Sequence, residues 1–324
     1  MKKSLQIIKE VITEMGGKIE EFVPERGCYY INIKGKRVFL ERNISITRQS
    51  FISVNLTKCK EITYKLLKAN SLPTPKTVCF YNRSYNKENA LEKLNQLTYP
   101  VVLKDASGSN SRGVVPFVES INEALKIVRR DLPGHRSMIA QEMVFGKEYR
   151  ILVLGKRIIG ALEMIHPNIT GNGVSTIKEL IREKQQTTEQ RTIFDKELNK
   201  TLRSQKVTLD TILPKKKVIY IKNNSCLAEG GETSDVTDLV HKGVRDICVE
   251  ASKTVGKYLV GIDVICNDIA KKPTKKSFNI LEINARPDMY IHYSPTHGKT
   301  RNVLKDIIKY LVKQSSPLSS RIKK

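Results

Sequence analysis

Apolar residues recur along this chain at two periods. Leu5, Ile8, Val11, Ile12 and Met15 fall three and four apart, the signature of one helix face. Alternation then takes over. Cys28–Ile33 and Arg37–Leu40 read as short strands around Lys34-Gly35-Lys36, a hairpin signal, so residues 1–55 form a small α+β piece. Residues 58–69 return to helical spacing through Ile62, Leu66 and Leu67, and Asn70 with Pro73 and Pro75 stops that helix. Further strands are predicted at Thr77–Tyr81, Val101–Lys104, Val114–Val118, Met138–Met143, Glu148–Leu154, Arg157–Glu163, Lys217–Ile221, Val260–Cys266 and Phe278–Asn284. Helices are predicted at Lys87–Gln96, Asp238–Tyr258 and Arg301–Lys313, and from two capping boxes, Ser120 with Glu123 and Thr176 with Glu179, each Ser/Thr three residues before its Glu. Residues 185–215, rich in Lys, Arg, Gln and Thr, read as exposed helix and loop. Strands of antiparallel appearance mixed with helices, without internal repeats, predict an α+β fold in several lobes.

The chain has 324 residues, room for about two domain-sized units of ~150 residues each. Hydrophobic residues make up 40%, enough for a core. No apolar run approaches the ~18 residues of a membrane helix, and Glu10 and Glu14 interrupt the opening segment where a signal peptide would be uniformly apolar. The six cysteines are dispersed with no CxxC pair, which predicts reduced, mostly buried thiols and a cytoplasmic setting. Charge changes the picture most. Fifty-seven Lys and Arg against 33 Asp and Glu leave +24, a field that attracts polyanions, although the lysines are scattered rather than gathered in one arm.

Three constellations carry candidate chemistry. In Ile280-Leu281-Glu282-Ile283-Asn284, Glu282 and Asn284 share one strand face, and Asp263 on the preceding strand can approach them if the two strands form a hairpin. Two carboxylates and an amide oxygen are hard ligands suited to Mg²⁺; an ordinary polar edge strand is an equal reading. Lys104 ends a strand and enters the loop Asp105–Gly113, whose Gly and Ser would let backbone N–H groups approach phosphate. It is not a P-loop, since Val114-Val115 stands where Lys-Ser/Thr is required, and taken alone it reads as well as a surface turn. Gln141 to Arg150 forms strand, break at Gly146, and new strand with Glu148 and Arg150 on one face; by itself this fits a solvated hairpin better than a hinge between lobes.

In this order the constellations resemble the ATP-grasp superfamily, and most of all the ATP-grasp portion of cyanophycin synthetases and fused glutathione synthetases. The likeness covers about residues 55–313 and is carried by KEITYKLLKANSLPTP (60–75), VVLKDASGSNSRGV (101–114), EYRILVLGKRIIGA (148–161), GNGVSTIKELI (171–181), GGETSDVTDLVH (230–241), GIDVICNDI (261–269) and LEINARPDMYIH (281–292). It implies two α+β lobes gripping ATP. Lys60 and Lys104 match the lysines that neutralise ATP phosphates, and Ser107, Gly108, Ser109 and Gly113 match the loop that closes over them. Gln141, Glu142 and Val144 match the hinge that meets adenine, and Glu148 matches the ribose-binding acid. Asp263, Glu282 and Asn284 match the magnesium ligands, while Gly230, Gly231 and Asp235 fall near the acceptor and phosphate site. The implied cofactors are ATP and Mg²⁺, two ions, with Mn²⁺ as a substitute. The implied reaction joins a carboxylate to an amine through an acyl phosphate. Among the cations beyond the metal strand, Arg286 is the candidate for a phosphate contact, and Arg301 and His292 for a substrate carboxylate.

Three positions depart from the family pattern: Met164 where a basic residue is common, Asn172 in a turn usually Gly-Asp-Gly, and Asp288 where glycine usually follows the proline. They lie toward the substrate side, so the ATP chemistry is expected to be intact and the substrates to differ. The expected organisation is a shortened N-terminal subdomain (1–95), a central subdomain with the phosphate loop (96–143), a C-terminal lobe with the metal site (144–313) and a basic tail (314–324). The expected partners are small carboxylate and amine substrates, amino acids or peptides, with self-association open and neither membrane nor nucleic acid. Two rivals remain: a basic nucleic-acid binder on a degenerate ATP-grasp fold, which 6% aromatic content and the absence of Trp disfavour, and an ATP-dependent small-molecule kinase.

Overall fold

The computed structural model describes residues 2–41, 51–108, 113–187, 194, 196–222, 225 and 227–315. Its largest element is a five-stranded antiparallel sheet. β8 (Lys147–Leu154), β9 (Arg157–Ile165), β12 (Glu232–Asp235), β13 (Leu259–Cys266) and β14 (Phe278–Asn284) take the order β12-β9-β8-β13-β14. One face is apolar over its whole length. Tyr149, Ile151, Val153, Ile262, Val264 and Ile280 bury against α8 (Lys242–Thr254), whose inward residues are Val244, Cys248 and Ala251.

The opposite face is divided. Toward one end Leu152, Leu154 and Leu259 pack against α1 (Lys2–Glu14) and α9 (Val303–Gln314). Toward the other end the same face carries Glu148, Arg150, Asp263 and Glu282. Side chains two apart on a strand share a face, so the switch from Leu152 to Arg150 marks where the core ends and the cleft begins.

The N-terminal piece is a three-stranded antiparallel sheet of β1 (Lys18–Val23), β2 (Cys28–Ile33) and β3 (Lys36–Glu41). Ile31, Ile33, Val38 and Leu40 join the core that α9 and α1 share. β1 is an addition to the sequence reading: only Ile19 and Val23 of its six residues escape full exposure, so its apolar signal is weak. The second sheet, β4-β7-β5-β6, comprises β4 (Thr77–Tyr81), β5 (Val101–Asp105), β6 (Val115–Val118) and β7 (Ser137–Glu142), covered by α4 (Lys87–Asn95) and α5 (Ile121–Asp131). Phe80, Ala90 and Leu94 therefore share a core with Val101, Leu103 and Val128. A division at 95/96 would cut this core, and residues 77–95 pack with the central unit rather than with residues 2–41.

α2 (Phe51–Lys58) and α3 (Lys60–Ala69) link the pieces, and the Tyr64 hydroxyl accepts the Thr77 N–H at 3.0 Å. A satellite is built from β10 (Asn168–Thr170), α6 (Ile177–Thr187), α7 (Lys196–Ser204) and β11 (Val218–Tyr220). Here the expectation of exposed helix and loop over 185–215 is corrected. Leu198, Leu202 and Leu213 are buried with Ile169, Ile177 and Ile219 in a separate small core. Both capping residues work as expected: the Ser120 hydroxyl accepts the Glu123 N–H at 3.2 Å, and Thr176 and Glu179 bond reciprocally. The long C-terminal helices start later than periodicity suggests, at Lys242 and Val303, because short 3₁₀ or irregular segments precede them. Of the tail 314–324, all beyond residue 315 lies outside the described residues, as does Cys226; the other five cysteines are free thiols. Among the described residues no helix is long and apolar enough to cross a membrane.

Candidate functional site

One row across the large sheet brings the chemistry together. Register pairs Asp235 with Leu162, Leu162 with Arg150, Arg150 with Asp263, and Asp263 with Glu282. Asn284 lies two residues beyond Glu282, opposite Gly261. The hairpin needed to join Asp263 to Glu282 and Asn284 is therefore present, between β13 and β14.

Asp263 is 8% exposed. Its carboxylate accepts from Arg150 Nε and, at 3.0 Å, from Arg150 Nη2, and the Asn284 amide N–H donates to Oδ2 at 2.9 Å. That bond orients Asn284 and leaves its Oδ1 as a ligand atom. Burial pushes the Asp263 carboxyl up to about 6 despite Arg150, with Glu148 and Glu282 adding repulsion. Glu282 pairs with Lys60 Nζ at 3.1 Å, and the same ammonium donates to the Gly108 carbonyl. Lys104 faces this pair from β5 and donates to Gln141 Oε1 at 3.1 Å, while Gln141 donates to the Thr77 hydroxyl at 2.9 Å. Burial lowers the Lys104 ammonium to about 8; Glu282 and Asp263 counteract part of that, and Lys60 reinforces it.

Glu148 sits two residues before Arg150 and accepts from the Ser225 hydroxyl at 2.7 Å. Burial raises its pKa, against that hydrogen bond and Arg150. At the hinge, the Glu142 N–H is engaged by the Lys76 carbonyl at 2.9 Å and the Met143 N–H by the Pro100 carbonyl at 3.1 Å. Among the described residues the Val144 N–H has no protein acceptor. The Glu142 carboxylate accepts the Thr98 N–H at 2.8 Å. In the loop after β5, Ser107 N–H bonds Asp105 Oδ1 at 3.0 Å; Ser109 lies outside the described residues, and Gly113 stands at their far margin.

The three cations assigned to phosphate and substrate are not gathered here. Arg286 is exposed and pairs with Glu41 of β3 at 3.9 Å. Arg301 is clasped by Asp235 at 2.6 and 2.9 Å and by Asp238 at 2.8 and 3.0 Å, so its donors are engaged by protein carboxylates. His292 is fully buried beside Gly160, where an added Cβ would fall 2.7 Å from Nδ1. Among the described residues neither ring nitrogen has a hydrogen-bond partner, and burial lowers the imidazole pKa to about 4. A buried neutral ring cannot meet a substrate carboxylate in this conformation. The departures are local in effect. Met164 is buried opposite Glu148, the Asn172 side-chain Oδ1 accepts the Val174 and Ser175 N–H groups in its turn, and Asp288 accepts the Tyr290 N–H at 2.9 Å.

Sequence reasoning put Arg150 on the face of Glu148 but missed its pairing with Asp263, because cross-strand register is invisible in one chain segment. Among the described residues no three His, Cys, Asp or Glu side chains converge on one point; the candidate metal set is two carboxylates and an amide. As hard oxygen donors opposed by two lysines, they fit Mg²⁺ better than a softer ion.

Oxygen donors on the large sheet thus meet lysines carried by α3 and by β5 of the second sheet. The ATP-grasp domain family matches residues 58–289, and the chain belongs to that family. It is 31% identical over 283 residues to the cyanophycin synthetase of Geminocystis herdmanii, covering 83% of this chain and 32% of that protein. It is 26% identical over 294 residues to the glutathione biosynthesis bifunctional protein GshAB of Clostridium perfringens, covering 86% of this chain and 37% of that protein. The chain thus spans about a third of the length of these relatives. Among solved structures, the bifunctional glutathione synthetase from Pasteurella multocida superposes with a TM-score of 0.73 at 23% identity, over 96% of this chain and 44% of that one. The ATP-grasp fold expected from the sequence is therefore the fold adopted.

Proposed function

We propose that the protein is an ATP- and Mg²⁺-dependent ligase that joins a carboxylate to an amine through an acyl phosphate, acting on amino acids or small peptides in the cytoplasm. The observation that carries this reading is the cross-strand pair Asp263–Glu282, with Asn284 beside it and Lys60 and Lys104 opposite, in a member of the ATP-grasp family.

A carboxylate is a poor acylating agent because oxide would have to leave. In the proposed reaction a carboxylate oxygen attacks the γ-phosphorus and the bond to ADP breaks, its electrons leaving with ADP. The amine nitrogen then attacks the acyl carbon, phosphate departs with the C–O electrons, and the amine gives up a proton. Bound Mg²⁺ would supply positive charge shared by protein carboxylates and phosphate oxygens. Lys60 and Lys104 neutralise phosphate, Gln141 and Thr77 fix the direction of Lys104, and Glu148 accepts from ribose hydroxyls. The protein's contribution is electrostatic and positional.

The test is a pairwise screen of amino acids and short peptides for ATP-dependent ADP release, with mass spectrometry of the product. An amide with the combined mass of the two substrates less one water supports the reading. A stable phosphorylated product would make the protein a kinase, and ADP release that persists in Glu282→Gln would remove the metal assignment.

A further inference from the structure

We propose that the cavity between β12 and the satellite is a second ligand site, one that takes a small organic ammonium ion carried on an apolar body. It lies on the sheet face opposite the row of oxygen donors, so the inference goes beyond the ligase reading and does not rest on it.

Register sets the location. Met164 pairs with Glu148 and shares its face, so Ile165, the next residue, points to the opposite face. Glu232 pairs with Ile165 and shares that opposite face, and His297, bridged to Ser234, follows it there. These three residues bound the cavity on the sheet side, and β10, β11 and α6 bound it on the satellite side. Its volume is about 640 Å³, within the range of small-molecule sites.

The floor is apolar because of strand period. Ile169 and Ile219, paired across β10 and β11, turn into the satellite core, so Val218 and Tyr220 turn outward. Each is 46% exposed, and both line the cavity.

The charged wall comes from α6 and β12. Leu180, Glu183 and Lys184 stand three and four apart and share one face of α6. Leu180 buries in the satellite core, and Glu183 and Lys184 line the cavity above it. Lys184 Nζ donates to Glu232 Oε1 at 2.6 Å and to the Asn168 carbonyl at 2.8 Å, and His297 Nε2 lies 3.1 Å from Glu232 Oε2. Burial would lift the Glu232 carboxyl, but hydrogen bonds from Lys184 and His297 more than reverse it, so it stays an anion. Among the described residues the exposed Glu183 carboxylate has no hydrogen-bond or ion-pair partner.

Two carboxylates thus face one ammonium and one imidazole. On a chain of net charge +24 this wall is a local reversal of sign, and it favours a cation where the rest of the surface favours anions. An ammonium placed beside Glu183 and Glu232 lets its apolar body cover Val218 and the Tyr220 ring, whose face itself attracts cations.

The probe is phenethylamine, with phenylacetate as its anionic counterpart, titrated into the full chain and followed by ligand-observed NMR at about pH 7, where the amine is protonated. The wild type should bind phenethylamine with a Kd of about 1 mM or tighter, and phenylacetate at least about tenfold more weakly. Glu183→Lys reverses the wall and should weaken phenethylamine at least about tenfold, and Tyr220→Ala should weaken it about threefold or more. Both positions are exposed, and thermal unfolding midpoints within about 2 °C of wild type check that the fold is kept. Saturating Mg·ADP should leave the phenethylamine Kd within about twofold, because the oxygen donors lie on the other face. Binding that both variants keep, equal binding of phenylacetate, displacement by Mg·ADP, or a wild type that binds no phenethylamine overturns the inference and leaves the ligase reading untouched.

Discussion

Two charged clusters flank the large sheet, built from the same residue types and held in opposite states. At β13 and β14, Asp263, Glu282, Arg150 and Lys60 face the cleft; at β12, Asp235 and Asp238 clasp Arg301 and Lys299. Burial would lift the Asp235 carboxyl, but hydrogen bonds from Arg301 and Thr237 more than reverse it. Asp238 is exposed and lowered by hydrogen bonds from Arg301 and Lys299. At Asp263 burial wins over Arg150, and at Lys104 burial wins over the nearby carboxylates. The β12 cluster is satisfied by its own partners and acts as a fastening. The cluster on β13 and β14 instead keeps its burial shifts, Asp263 raised and Lys104 lowered, which is the condition that would favour an added cation and anion.

That contrast can be broken at several points. The largest effect belongs to Glu282→Gln, which should lower ADP release with a true acceptor by at least about 1,000-fold, and Lys104→Ala should do the same. Initial rates of ADP formation decide this. Next is Arg301→Ala in the other cluster. It leaves Asp235 without its guanidinium and should cost about 3 kcal/mol of stability in urea denaturation, while ATP affinity stays within about threefold. A large loss of ATP affinity would erase the distinction between fastening and site.

The pH dependence comes third. Lys104 has a folded pKa of about 8, below its ordinary value, so the free protein loses the ammonium as pH rises through about 8. ATP affinity should then fall up to about tenfold per pH unit, and Lys104→Arg should flatten the profile. Stability moves the other way. The unfolded chain holds that proton to higher pH than the folded one, so ligand-free protein gains stability from about pH 8 up to the ordinary lysine pKa. The smallest effect is Thr237→Val. It removes a 2.6 Å bond to Asp235 and the acceptor for Ala161 N–H, and should cost about 1 kcal/mol in thermal unfolding without changing the pH profile.

Much of this architecture was legible in the sequence because it obeys period and spacing. β13 and β14 announce themselves by alternating residues, and the capping boxes mark where α5 and α6 begin. What escaped did so for physical reasons. β12 consists of Glu-Thr-Ser-Asp, which carries no apolar alternation, and it is a strand because β9 offers it an edge. α7 hides Leu198 and Leu202 in a Lys-rich stretch, although their four-residue spacing was a readable signal. Residues 77–95, grouped by sequence position with the N-terminal subdomain, join a core that strands further along complete.

The sequence by itself determined which residues could bind a metal and phosphates, because hard oxygen donors, lysines and alternating strands are local properties of residue type and order. Tertiary structure alone decided which charges would be left in want of a partner. Arg301 and Arg150 are the same side chain, each near aspartate; among the described residues one is engaged by two carboxylates and the other by Asp263 alone. That difference arises from register and burial, which set distances and solvation between residues far apart in the chain, and Coulomb energy depends on both.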